Sequence, residues 1–219
     1  MKRFISLLFV VVIGLQANAQ SPKYVSAMEG NVAAMDTTHA YTAWQELGNN
    51  FERIATAEKN QWLPYYYSAV CNALTGYMLS NGAPGSFSST QTDQIADKSE
   101  AMLNKAEELE KNNSEIYCVR KMIATLRMMG DPMTRYQTYG PQAQEALSKA
   151  KSLNPNNPRV YMLEGQDKFF TPEEFGGSKP EAKMLFEQAV KLFESSKPKT
   201  SIDPHWGLGS VQYFLSQIK

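Results

Sequence analysis

Two histidines, two cysteines and a scatter of carboxylates are the residues with which this chain could do chemistry. A histidine-based metal site or a nucleophile–histidine–acid triad would have to draw on His39 and His205, at distant ends of the chain. The surrounding residues predict instead a surface histidine in a loop and a histidine at the start of the last helix. Glu173 and Glu174, and Glu107, Glu108 and Glu110, fall on solvent faces of predicted elements rather than facing each other as an acid–base pair would. Gly176-Gly177 precedes a helix start, where an anion could sit, but the pair reads as a simple turn. No glycine-rich loop runs into Lys-Ser or Lys-Thr, so the phosphate cradle of nucleotide enzymes is missing. Tyr65, Tyr66 and Tyr67 could stack on sugar or peptide, and they read first as packing residues. The expectation is a protein that is not an enzyme, with no catalytic, metal or cofactor-binding residues.

The elements that would position these groups follow a leader. Lys2 and Arg3, an apolar run from Phe4 to Leu15 and the small-x-small triplet Ala17-Asn18-Ala19 predict a signal peptide over residues 1–19, cleaved before Gln20. The apolar run is too short to span a bilayer, and no cysteine stands near the cleavage position to carry a lipid anchor. Residues 20–219 would then form one exported, periplasmic or secreted, helical domain. Its 22 cations and 22 acids, less Lys2 and Arg3, supply no field for nucleic acid or anionic lipid. Cys71 and Cys118 both lie inside predicted helices; export permits a bridge between them, and the sequence leaves paired and free states open.

Apolar periodicity predicts helices over about 24–35, 40–58, 60–79, 93–111, 115–129, 143–153 and 160–170, the last with Asn157 as cap and Pro158 in its first turn. A capping box of Ser178 and Glu181 opens another, to about 194. A short segment, 133–139, ends at Gly140-Pro141. Residues 80–92, rich in Gly, Ser, Pro and Thr, predict an exposed loop. Lys197-Pro198-Lys199 reads as a linker, and Asp203-Pro204 as the start of a final capping helix through Trp206, Val211, Phe214 and Ile218.

An internal repeat runs through these helices. Leu47, Phe51 and Ile54; Ser99, Leu103 and Ala106; Ala143, Leu147 and Ala150; and Ala182, Phe186 and Ala189 share the offsets i, i+4, i+7. Tyr65 with Ala69 and Tyr161 with Gly165 open the return helices, whereas Tyr117 is followed by Lys121. A repeated helix pair that cannot bury its own face must stack on its neighbours.

These residues resemble tetratricopeptide repeats, best at Ala143, Leu147, Ala150, Pro155, Tyr161 and Gly165, then at Ala182, Phe186 and Ala189. The large residues Phe51, Leu103, Leu147 and Phe186 are 52, 44 and 39 positions apart, against the family's unit of about 34. The resemblance implies an all-α, right-handed solenoid of about four irregular helix pairs with a C-terminal capping helix, like exported bacterial proteins of that superfamily. It further implies a concave groove lined by Tyr66, Val70, Cys118, Met122, Met162, Gln166 and Phe169, in which methionines and aromatics suit an extended or helical segment. The function expected on that basis is a non-catalytic protein- or peptide-binding scaffold of the cell envelope. The alternative is a small-molecule-binding accessory of an envelope uptake system, and self-filling of the groove by the chain's own insertions or its N-terminal helix stays open beside both.

Overall fold

The computed structural model describes residues 21–79 and 88–218. The leader and its cleavage position, and residues 80–87 of the expected loop, lie outside the described residues. Those described form nine α-helices and one short 3-10 turn, with no strand among them: α1 Pro22–Met35, α2 Tyr41–Ala57, α3 Trp62–Leu79, α4 Ser89–Leu109, α5 Ser114–Met129, α6 Pro132–Leu153, α7 Pro158–Phe170, the turn Glu173–Phe175, α8 Lys179–Ser195 and α9 Leu208–Gln217.

Local chemistry sets the helix starts. Ser21, Asp131, Asn157 and Ser178 each accept a backbone N–H of the first turn, and Pro22, Pro132, Pro158 and Pro180 occupy first-turn positions where no donor is needed. The chain enters α4 earlier than periodicity suggests, because Ser88 and Gln91 close a reciprocal capping box.

Each helix packs on its sequence neighbours, and α3 with α5 and α5 with α7 make a second, inner row of contacts. α3 is buried on nearly all sides, which explains its almost continuous apolar run of Leu63, Tyr66, Tyr67, Ala69, Val70 and Cys71. One cluster of buried side chains extends from Tyr24 in α1 to Val211 in α9. The small residues of the repeat lie at close approaches. A Cβ at Gly165 would stand 2.6 Å from the Phe186 ring, and one at Gly76 would stand 2.5 Å from Leu126. Glycine therefore lets α7 meet α8, and α3 meet α5, almost backbone to side chain.

Two expectations are corrected. α6 runs unbroken through Gly140-Pro141, although an interior proline loses one ladder bond and crowds the preceding turn. Its first half is held to α4 from outside: the Arg135 guanidinium donates to both Asp93 carboxylate oxygens at 2.7 and 2.8 Å. The last helix begins at Leu208, not near Asp203. Residues 196–207 instead form an irregular strap, because Pro198 and Pro204 withhold donors and Gly207 takes a left-handed φ of 114°.

Candidate ligand-binding site

The strap lies against the inner row. Of residues 196–207 only Ile202 and Trp206 are buried. The Tyr67 hydroxyl donates to the Ile202 carbonyl at 2.9 Å, and the Trp206 indole N–H donates to the Tyr66 hydroxyl at 2.9 Å. Gly207 packs beside Phe193 of α8 and the Met162 sulfur of α7. On the other side Ser201 donates to Glu29 of α1 at 2.5 Å, and His205 stands 3.9 Å from Asp36.

Beneath Trp206 lies a buried polar knot. Arg159, 2% exposed, donates to Glu115 at 2.9 Å, and its guanidinium carbon lies 4.8 Å from the Trp206 ring centre and 5.5 Å from that of Phe193. Glu115 also accepts from Tyr66 at 2.7 Å and from Asn157 at 2.9 Å. Burial, with the Glu115 charge adding to it, pushes the Tyr66 phenol well above its ordinary range, so it stays a neutral donor. Among the described residues the Arg159 Nε and one terminal nitrogen, Nη2, have no hydrogen-bond partner, and neither has the Tyr24 hydroxyl.

The open part of the site is at the far end of α7. Phe169, Phe170 and Phe214 meet with ring centres 5.1 to 5.5 Å apart, Phe214 stacks on Phe186 at 5.4 Å, and Tyr213 meets Phe214 at 5.5 Å. Phe170 is 50% exposed and Tyr213 60%, and Phe175, in the turn that follows α7, is 77% exposed. The Lys179 ammonium sits 3.0 Å from the Phe169 ring centre and donates to the Phe169 carbonyl at 2.8 Å; loss of hydration there lowers its pKa. An aromatic surface edged by a cation can hold a planar apolar body carrying negative groups.

Of the groove residues expected from sequence, Tyr66, Val70, Met122 and Met162 are sealed in the core, with Cys118 beside them, and touch no solvent. The reason is physical: the chain's own strap and helix packing cover them. Gln166 and Phe169 are half-buried, and Phe169 joins the aromatic cluster. Sequence reasoning missed Arg159, Phe170, Trp206, Tyr213 and Phe214 as site residues. The adjacent pairs Phe169-Phe170 and Tyr213-Phe214 carried the signal, since two neighbouring aromatics near a helix end spread around the helix and tend to leave one at the edge of the buried stripe.

Other candidate chemistry is quiet. Cys71 and Cys118 are free and buried, and burial raises both thiols far above the thiolate range. No group of three His, Cys, Asp or Glu among the described residues could hold a metal ion. A surface cleft of about 740 Å³ between α4 and α6, floored by α5, is lined by Arg120 and Arg127. Both are already committed, to Glu107 and to Asp97 and Glu100. No helix among the described residues is long and apolar enough to cross a membrane.

No family model and no curated protein matches the chain. A solved structure does: the HusA haemophore from Porphyromonas gingivalis, at 33% identity and a TM-score of 0.77, over 92% of this chain and 95% of that one.

Proposed function

The chain belongs to the family of the HusA haemophore, and from that premise we propose that it is an exported, non-catalytic carrier that binds haem or a closely related porphyrin. The observation that carries the reading is the cation-edged aromatic surface of Phe169, Phe170, Tyr213 and Phe214, which offers a porphyrin ring stacking partners and its carboxylates Lys179. The small-molecule accessory is thereby preferred to the protein-binding scaffold, because the strap already fills much of the face on which a peptide was expected. We also read the succession of helix hairpins with its inner row as a tetratricopeptide-like solenoid, supported by the glycine approaches between helices at Gly165 on Phe186 and Gly76 on Leu126.

Iron coordination through sulfur or imidazole contributes little in this reading. Neither buried thiol can serve as a thiolate, and neither histidine stands in the aromatic cluster. The test is a visible-absorption titration with haemin. Phe170→Ala and Tyr213→Ala should each weaken binding by about tenfold, equivalent to about 1.4 kcal/mol. A Soret band that does not move with added protein, or variants that bind as the parent does, would refute the assignment.

A further inference from the structure

We propose that residues 196–207 are an exchangeable plug on a second, inner seat, built for a planar aromatic carboxylate whose acid group Arg159 receives once Trp206 has left. The inference rests on the porphyrin reading and adds the strap as a competitor for the same ligand class.

The attachment is sparse. Two side chains, Ile202 and Trp206, are buried, residues 196–201 are all exposed, and the hydrogen bonds to the inner row are those from Tyr67 and to Tyr66. The contacts to α1, Ser201 with Glu29 and His205 with Asp36, lie at the solvent-facing side. A segment held by so few buried groups belongs to the low-stability end of a structure and opens without global unfolding. What it would uncover is a designed-looking cradle: Tyr66 and Tyr67 from α3, Met162 and Arg159 from α7, and Phe193 from α8. The Trp206 ring, its centre 4.8 Å from the Arg159 guanidinium carbon, holds a place that one edge of a flat aromatic ligand could take.

The buried arginine is the independent sign of a missing partner. Glu115 satisfies one of its terminal nitrogens, Nη1, and leaves Nε and Nη2 without an acceptor. Such buried donors are costly to leave unmade. A ligand carboxylate arriving with its ring in the indole's place would supply two oxygens to those two donors, in the fork geometry that arginine favours. Trp206 can replace the ring but has no acceptor to offer, so the plug matches half of the seat.

The test is hydrogen-exchange mass spectrometry on the full protein, alone and at saturation with haemin or with haemin dimethyl ester, saturation being followed by the Soret band. Haemin should accelerate exchange over residues 200–207 by about tenfold or more, and the ester, lacking free carboxylates, should leave that segment protected. Trp206→Ala should tighten haemin binding by about tenfold by removing the competitor, and Arg159→Gln or Arg159→Lys should abolish the haemin-induced release of the strap. A moved Soret band with unchanged or slowed exchange over 200–207, or weaker binding by Trp206→Ala, overturns the inner seat while leaving the outer aromatic site standing. A Soret band that never moves overturns both.

Discussion

The indole N–H of Trp206 donates to the Tyr66 hydroxyl at 2.9 Å, and that hydroxyl in turn donates to Glu115 at 2.7 Å. One phenol therefore joins the strap to the carboxylate on which Arg159 and Asn157 converge. Tyr66→Phe removes the junction without removing the ring, leaving the indole N–H and one carboxylate oxygen short of a partner. The expected loss is about 1–3 kcal/mol in urea unfolding, with amide exchange rising over the strap before it rises elsewhere.

Gly165 and Gly209 should respond in opposite directions to alanine. At Gly165 the new methyl meets the Phe186 ring at 2.6 Å, and such overpacking costs about 1–3 kcal/mol. At Gly209, in the exposed first turn of α9, a Cβ meets nothing within 4 Å, and the change should stabilise by roughly 0.5–1 kcal/mol. Thermal melts of the two variants beside the parent distinguish the cases, and destabilisation by Gly209→Ala would contradict the placement of α9.

Cys71 and Cys118 should be silent toward thiol reagents in the native state. Both are buried and their thiols are held protonated by loss of hydration. With Ellman's reagent at pH 8, two thiols should react only after denaturant is added; release of either by the folded protein would show that the core opens more readily than its packing implies.

Asp93 sets an acid sensitivity. The hydrogen bonds from Arg135 lower its pKa below the ordinary carboxylate value. Since the folded pKa lies below the unfolded one, the pair's contribution is complete above about pH 4 and is lost as pH falls through the folded value. Asp93 is about a third exposed, so solvent screening limits the effect to about 0.5–1 kcal/mol. Asp93→Asn should be less stable than the parent by that amount at pH 7 and equal to it near pH 2.

His39→Ala and His205→Ala should leave haemin affinity within about twofold of the parent. His39 is exposed in the turn between α1 and α2, and His205 is engaged with the Asp203 carbonyl at 2.9 Å. A large loss, or a changed Soret position in either variant, would assign that imidazole to the iron and displace stacking as the main source of affinity.

The helices were legible in the sequence because most of them bury one stripe and carry their own stop and start signals; Asn157-Pro158 and Ser178 mark helix starts correctly. Phe186 on Gly165 shows why a small residue recurs opposite a large one. The strap was not legible. Asp203-Pro204 has the chemistry of a helix start, and only the contacts of Trp206 with Tyr66 and Arg159, more than forty residues away in sequence, decide that the chain runs irregularly there. The site was half legible for the same reason: Phe169 and Phe170 are visible as an aromatic pair at the end of a predicted helix, but Tyr213 and Phe214 join them from α9, whose position depends on the strap.

Lys121 stands where the repeat asks for a small residue, and it is buried with its ammonium 2.6 Å from Asp167. Its partner is a residue of α7, so α5 and α7 are matched by charge as well as by shape, and a different helix in the place of α7 would strand an ammonium in an apolar interior. Exchanging Lys121 and Asp167 together for apolar residues removes that cost, whereas removing Asp167 alone leaves the buried ammonium uncompensated.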